Sequence, residues 1–428
     1  MNNNWSQTSL GELENNGEAD IQTGPFGTVL KASEYSDRGS PVISVGEIRY
    51  GYLHVSGQTP KVSDKTKERL PQFILRAGDI VFGRKGAIDR NSIINESQNG
   101  WFLGSDGIRL RLSGDFDNLF VSYQFRCPTI GKWLLQNSSG SVMPSLNQKT
   151  LNRLPLWLPN IHEQQGISTV LSTLDKKIAL NNKINTELEA MAKLIYDYWF
   201  VQFDFPDANG KPYKSSGGKM VYNEALKREI PEGWAVGNIM QLAHLLGGGT
   251  PKTTIASYWR GSIPFFTPAD AASDVFSLKT KQNVTTEGLK NCSSKLFEKG
   301  TIFITARGTV GKINIASCDM AMNQSCYALQ GKEGVGSTFI YFYASELIQY
   351  VKSKASGSIF KALVTNDFKF TGLVIPPMET IARFTNTVDA SFDKLLLNKL
   401  ENQELTELRD WLLPMLMNGQ VTVKDAAP

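Results

Sequence analysis

Two short turns hold the residues of this chain best suited to chemistry: Arg84-Lys85-Gly86 and Arg307-Gly308-Thr309-Val310-Gly311-Lys312. Glycine lets a backbone approach a phosphate closely, and arginine can fork onto guanine O6 and N7, so the chemistry is nucleic-acid recognition. For one such turn alone, a solvated β-turn is the simpler account; recurrence in a second copy weighs against it. Other candidates are polar loops of small residues with occasional basic or amide groups. Thr23-Gly24-Pro25-Phe26-Gly27-Thr28 has a rough counterpart in Gly249-Thr250-Pro251-Lys252. Ser141-Val142-Met143-Pro144-Ser145-Leu146-Asn147 has one in Ser358-Ile359-Phe360-Lys361. The DNA-binding candidates are therefore Thr23, Phe26, Arg84, Lys85, Gly86, Met143, Ser145, Asn147, Thr250, Lys252, Arg307, Gly308, Lys312 and Lys361.

The elements that must position these loops are written twice. Gly78-Asp79-Ile80-Val81-Phe82 returns as Gly300-Thr301-Ile302-Phe303-Ile304, an offset of 222 residues between Gly78 and Gly300. Leu180-Asn181 returns as Leu397-Asn398, Asn185 as Asn402 and Glu187-Leu188 as Glu404-Leu405, at an offset of 217. Each copy spans about half the chain. Two copies of one unit can grip two half-sites of one ligand, as dimeric DNA-binding proteins do. In residues 1–158, short β-rich runs (Pro41–Val45, Phe73–Leu75, Asp79–Phe82, Gly107–Leu112) precede a helical stretch near Phe120–Gln136. Residues 230–376 repeat the order: Pro264–Phe266 answers Pro41–Ile43, Thr301–Thr305 answers Asp79–Gly83, Ala328-Leu329 answers Arg109–Leu112, and Phe339–Lys352 answers the helix. Trp5 and Trp234 mark equivalent starts.

Two long helical stretches fill 159–202 and 377–428. Apolar residues recur mostly at spacings of three or four from Ile167 to Tyr198, and a second series runs from Ile381 to Met415. At ~1.5 Å per residue the first makes a rod of roughly 54 Å, or roughly 16 base pairs of duplex. Such rods need a partner for the apolar stripe, and the other copy is the obvious one, as a coiled coil. Residues 203–229, rich in Pro, Gly, Ser and Asp, read as a linker. A linker of that length favours antiparallel helices with one globular domain at each end. Asn181 and Asn185 interrupt the first stripe, and Asn398 and Asn402 interrupt the second. Buried in a seam they fix register at a cost in stability; turned outward they face solvent. The expected fold is α+β, with two globular domains separated by two long antiparallel helices in a pseudo-twofold repeat.

Composition excludes several classes. With 41% hydrophobic and 20% charged residues the chain can build sizeable cores. A net charge of +4 permits nucleic-acid binding without requiring it. Cys127, Cys292, Cys318 and Cys326 form no CxxC pair and the three histidines lie far apart, so free thiols in a reducing compartment are expected and no metal site. No apolar run approaches a membrane span and Met1-Asn2-Asn3-Asn4-Trp5 is not a signal peptide, so a cytoplasmic protein without a membrane partner is expected. There is no Gly-x-x-x-x-Gly-Lys-Ser/Thr loop, no Gly-x-Gly-x-x-Gly and no acid–base dyad; Gly247–Thr250 lacks the lysine, and Pro206-Asp207 has no Glu-x-Lys partner. No cofactor is expected on this chain, and the tools point to binding rather than catalysis.

The whole chain resembles the specificity (S) subunit of Type I restriction–modification systems. The resemblance is carried by the repeat and by Leu154–Pro159 leading into Glu163–Gln165, Leu171–Ile178, Tyr213–Met220 and Ile230–Trp234. It implies two target-recognition domains, each reading one half of a bipartite, asymmetric double-stranded DNA site. It also implies two helices that dock two methyltransferase subunits, and restriction motor subunits that complete the endonuclease. S-adenosylmethionine, ATP and Mg would then belong to those partners. Two features depart from the pattern: Ile-Pro-Glu-Gly-Trp appears only in the second half, and the basic turns match only in part. The rival of a different class is a protein-assembly scaffold with a coiled-coil spacer and no DNA; a fused restriction–methylation enzyme is disfavoured by the missing motifs.

Overall fold

The computed structural model describes residues 5–140, 143–271, 274–354 and 362–423. The chain divides into two compact units, Met1–Ile178 with Glu404–Pro428, and Ala179–Gln403. The division falls inside both long helices. Each unit is thus one sheet block with a part of each helix, where the sequence had set 159–202 and 377–428 apart as segments of their own.

In the first unit an antiparallel sheet runs, in spatial order, Ala19–Thr23, Gly107–Leu112, Ile80–Gly83 and Asn91–Ile93. A smaller sheet contains Ser40–Ile43 and, parallel to it, Phe102–Leu103. In the second unit the order is Ala243–Gly247, Cys326–Gly331, Ile302–Thr305 and Ile313–Ala316, extended by Phe276–Ser277. There Trp259–Phe266 pairs parallel to Ala321–Met322. The first and last strands of each block also pair: Ser6–Ser9 with Pro155–Leu158, and Ala235–Gly237 with Leu373–Ile375. The repeat therefore extends to the strand order of the larger sheet, with Phe276–Ser277 added in the second unit, and Trp5 and Trp234 each precede the first strand.

The central strand is apolar throughout because its two faces serve two cores, side chains alternating across it. Ile80 and Phe82 join a core with Phe120 and Phe125, while Val81 joins Val42 and Phe102. Ile302 and Ile304 face a core with Phe339, while Phe303 joins Phe266 and Phe297. One buried polar pair is rewritten between the copies. Asp79 accepts from Arg111 Nε and Nη2, both at 2.7 Å, where Thr301 Oγ1 accepts from Gln330 Nε2 at 3.2 Å.

Three sequence expectations change. Phe73–Leu75 is not a strand: Pro71–Phe73 is a 3-10 turn, fixed at its start by proline. The helix near Phe120–Gln136 is two helices, Asn118–Phe125 and Pro128–Asn137, because Pro128 cannot continue the first; the second unit has a single helix, Ser337–Lys354. Residues 203–229 are packed rather than a free linker. Phe205 stacks on Tyr213 and Trp234, Asp204 accepts from the Ser215 amide and hydroxyl at 2.7 and 2.6 Å, and Met220–Asn223 pairs with Arg228–Pro231 in a hairpin.

The first long helix is Ile161–Tyr196, continued by a π turn at Asp197–Val201; the second is Met378–Met417, with Pro414 in its last turn. Their apolar faces are buried by the blocks as well as by each other. In the first unit, Ile167 and Leu171 share a core with Leu413, Leu416 and Met417, and Arg409 Nη1 donates to Asp175 Oδ1 at 2.8 Å. In the second unit, Asn181 Nδ2 donates to Glu401 Oε2 at 2.7 Å and Asn402 Oδ1 at 2.9 Å. Asn398 Nδ2 donates to Asn185 Oδ1, and Asn402 Nδ2 to Asn182 Oδ1, both at 2.9 Å. Within each unit, rising numbers on one helix meet falling numbers on the other, so the pairing is antiparallel. Among the described residues no helix is long and apolar enough to cross a membrane.

Candidate nucleic-acid interface

In the first unit three loops converge at one end of the larger sheet, after Ala19–Thr23, after Ile80–Gly83 and before Gly107–Leu112, braced by a fourth segment around Ser145. The turn after Ile80–Gly83 is held from both sides: Arg84 N donates to Asp106 O at 2.9 Å, and Leu146 N donates to Arg84 O at 2.8 Å. Gly86 N donates to Pro144 O at 2.9 Å, and Lys85 bridges Ser145. Gly86 sits at φ 72°, a left-handed conformation that costs glycine nothing. The loop after Ala19–Thr23 passes so close to the next that a Cβ on Gly24 would lie 1.8 Å from Gly104 O.

This arrangement brings together Phe26, Arg84, Lys85, Gly86 and Ser145, with Thr23 at the strand end and the exposed Met143 at the loop tip. The Arg84 guanidinium lies 4.1 Å from the centre of the Phe26 ring, and its Nη1 donates to Ser105 O at 3.3 Å. Lys85 Nζ is 3.4 Å from Asp106 Oδ1. Asn147 caps the helix Gln148–Asn152, its Oδ1 accepting from Thr150 N at 2.9 Å. It anchors the loop by that bond.

The second unit repeats the backbone. Ala306 N donates to Ser325 O at 2.8 Å, and Leu363 N to Ala306 O at 2.9 Å. Asn323 N donates to Phe266 O at 3.0 Å, as Gly104 N does to Ile43 O at 2.8 Å. A Cβ on Gly248 would lie 2.4 Å from Asn323 O. These bonds place Ala306 at the position of Arg84, Arg307 at Lys85, and Gly308 (φ 77°) at Gly86. Lys312 is the counterpart of Arg90, since Thr305 N donates to Lys312 O as Gly83 N does to Arg90 O. The partial match of the two basic turns in the sequence is thus a displacement of the arginine by one residue.

Arg307 is exposed, and its side chain has no partner among the described residues. Lys312 Nζ instead donates to Ala271 O at 3.0 Å, which ties the turn to the neighbouring loop. The Thr250 hydroxyl donates to Gln324 Oε1, and the exposed Lys252 accepts from Trp259 Nε1 through its carbonyl at 3.3 Å. Lys361 lies outside the described residues, as do Ser141, Val142 and Ser358–Phe360. Sequence reasoning missed Ser105, Asp106 and Gln324, because their loop follows a two-residue strand with no motif of its own. The signal that could have found them was the repeat: Gly104-Ser105-Asp106 aligns with Asn323-Gln324-Ser325 once the flanking strands are superposed. Asn181, Asn185 and Asn398 are buried in the second unit, with Asn402 half-buried beside them.

The family model for the Type I restriction modification DNA specificity domain matches residues 5–190 and again 231–409, so the chain belongs to that family. Among its relatives, the Type I restriction enzyme MjaIX specificity subunit of Methanocaldococcus jannaschii is 24% identical over 92% of this chain and 90% of its own length. The HindI specificity subunit of Haemophilus influenzae is 26% identical over 68% of this chain and 74% of its own length. The fold is shared with the crystal structure of a Type-I restriction-modification system S subunit from M. genitalium, at a TM-score of 0.62 and 16% identity over 97% of each chain.

Proposed function

We propose that this chain is the sequence-recognition subunit of a Type I restriction–modification complex. Each unit reads one half of a bipartite, asymmetric double-stranded DNA site through its three converging loops. The observation that carries this is one backbone arrangement built twice with different side chains: the exposed Phe26 and Lys85 with the half-buried Arg84 in one unit, and the exposed Thr250, Gln324 and Arg307 in the other. Two copies with one shape and two chemistries suit two unequal half-sites. The paired long helices serve as a coiled-coil spacer, and the asparagines fix their register.

The helices also carry a partner surface. Leu180, Met191 and Leu194 are exposed on the first helix; Leu397, Leu408 and Trp411, at the same 217-residue offset, are exposed on the second. Spacings of 11 and 3 residues keep each set on one face. Two equal apolar stripes support two equal partners, the methyltransferase subunits, with motor subunits joining the assembly. In this reading the chain is not itself catalytic: S-adenosylmethionine, ATP and Mg act on the partners.

The test is a map of methylated adenines in cells with and without this gene. Loss of one split, asymmetric motif on deletion is the expected result. An unchanged map, with the methyltransferase expressed, sinks the specificity role in that cell. A DNA-binding assay then separates a scaffold from an inactive subunit, since binding that neutralises phosphates weakens steeply with salt.

A further inference from the structure

The three-loop sites differ by a matched exchange of side chains on a constant backbone. In the first unit the long polar side chain, Arg84, comes from the turn after the central strand, and its neighbour Ser105 is short. In the second unit the turn position is Ala306, and the long polar side chain, Gln324, comes from the position of Ser105. The third loop changes in step. Phe26 offers a ring face to the guanidinium at 4.1 Å, and Thr250 offers a hydroxyl to the amide. Core packing does not demand this exchange, because Phe26 is 52% exposed and Gln324 is exposed as well.

Resting on the DNA-recognition reading above, we propose that Arg84 and Gln324 each determine one base of the split site, a guanine and an adenine respectively. A guanidinium matches the two acceptors of guanine, O6 and N7; a glutamine amide matches the donor N6 and acceptor N7 of adenine. Arg84 Nη1 is held by the Ser105 carbonyl at 3.3 Å, which leaves the Nε–Nη2 edge to fork onto the base. The Thr250 hydroxyl donates to Gln324 Oε1, so the amide is held with its orientation fixed and one oxygen lone pair left for N6–H. Phe26 and Thr250 are positioning residues. Lys85 and Arg307, equivalent to each other, sit beside the reading groups where a phosphate contact would carry no sequence information.

The experiment uses the full chain in complex with its methyltransferase subunits. The methylated motif is mapped for the wild type, Arg84→Gln and Gln324→Arg, and each complex is competed with duplexes carrying every single-base change in the site. Arg84→Gln should lose the guanine preference at one position of one half-site and leave the other half unchanged. Gln324→Arg should do the converse, for an adenine. Discrimination at the affected position should fall by about ten- to a hundredfold, the range for one bidentate contact. Motifs and competition ratios identical to wild type overturn the proposal, as does an equal loss of affinity for every duplex. Should a variant fail to methylate, the competition ratios still decide, and Phe26→Leu, which leaves Arg84 in place, should weaken discrimination at the same position only. Failure of the underlying reading is separate: the wild-type complex would then give no split motif.

Discussion

Replacing Asn185 and Asn398 by leucine, singly and together, tests whether the buried amides act through each other. Asn398 Nδ2 donates to Asn185 Oδ1 at 2.9 Å, with the residues 1% and 5% exposed. Asn185 Nδ2 already lacks a hydrogen-bond partner. Asn398→Leu strands the Asn185 oxygen as well, which costs about 1–3 kcal/mol for an unsatisfied buried group. Asn185→Leu strands the Asn398 amide, at about the same cost. The double variant leaves no orphan at this pair and adds apolar surface to the seam, so its net change should be near zero or stabilising. The two substitutions should therefore be non-additive by roughly 2 kcal/mol or more. Urea denaturation of the four proteins measures this, with equal m-values required for the comparison. Additive destabilisation refutes the coupling. The mapped spacer between half-sites is the second readout. If the asparagines lock register, the double variant should methylate sites of more than one spacer length; a single wild-type spacer and an unchanged oligomeric state refute that role.

The exposed stripes give a stoichiometric prediction. Leu194→Glu should remove one methyltransferase subunit from the complex and Trp411→Glu the other, with both lost in the double variant, as native mass spectrometry would count. Glu346 gives a pH prediction. Burial raises its pKa above the usual carboxyl range, opposed by the hydrogen bond that Tyr196 Oη donates to its Oε2 at 2.8 Å. A raised folded-state pKa means that stability falls as pH rises from the unfolded carboxyl value through the folded one. Glu346→Gln should therefore stabilise the protein at neutral pH and lose that advantage at low pH, as denaturation midpoints at the two pH values would register. The thiols should also separate by environment. Burial pushes Cys127 and Cys326 up to about 12, whereas Cys318 is exposed. Iodoacetamide at mildly alkaline pH should modify Cys318 and spare the buried pair until the protein unfolds.

Much of this molecule was legible without coordinates because duplication leaves a signal that needs no energy calculation. Two offsets, 222 residues at Gly78 and 217 at Leu180, were enough to define one unit built twice and to align its central strand. The 3.6-residue stripe gave both long helices to within a few positions, since burial of one helical face depends only on periodicity. In the first unit the structure brings the candidate loops around Phe26, Arg84 and Ser145 together, a juxtaposition that the sequence did not state. The sequence could not place Gln324 beside the second turn. Gln324 has no local pattern, and Arg307 looked like the partner of Arg84 because both are arginines beside a glycine. The 222-residue offset already sets Ala306 opposite Arg84; the hydrogen bonds from Ala306 to Ser325 and from Arg84 to Asp106 were needed to set Gln324 opposite Ser105. Likewise Asn182, Glu401 and Asp175 entered the helix pairing only through contacts more than 200 residues apart. Periodicity and repetition are properties of neighbouring residues and survive in a string. Which side chain faces which across a seam, or which of three loops supplies the long polar group, depends on non-local packing and was decided by the tertiary structure.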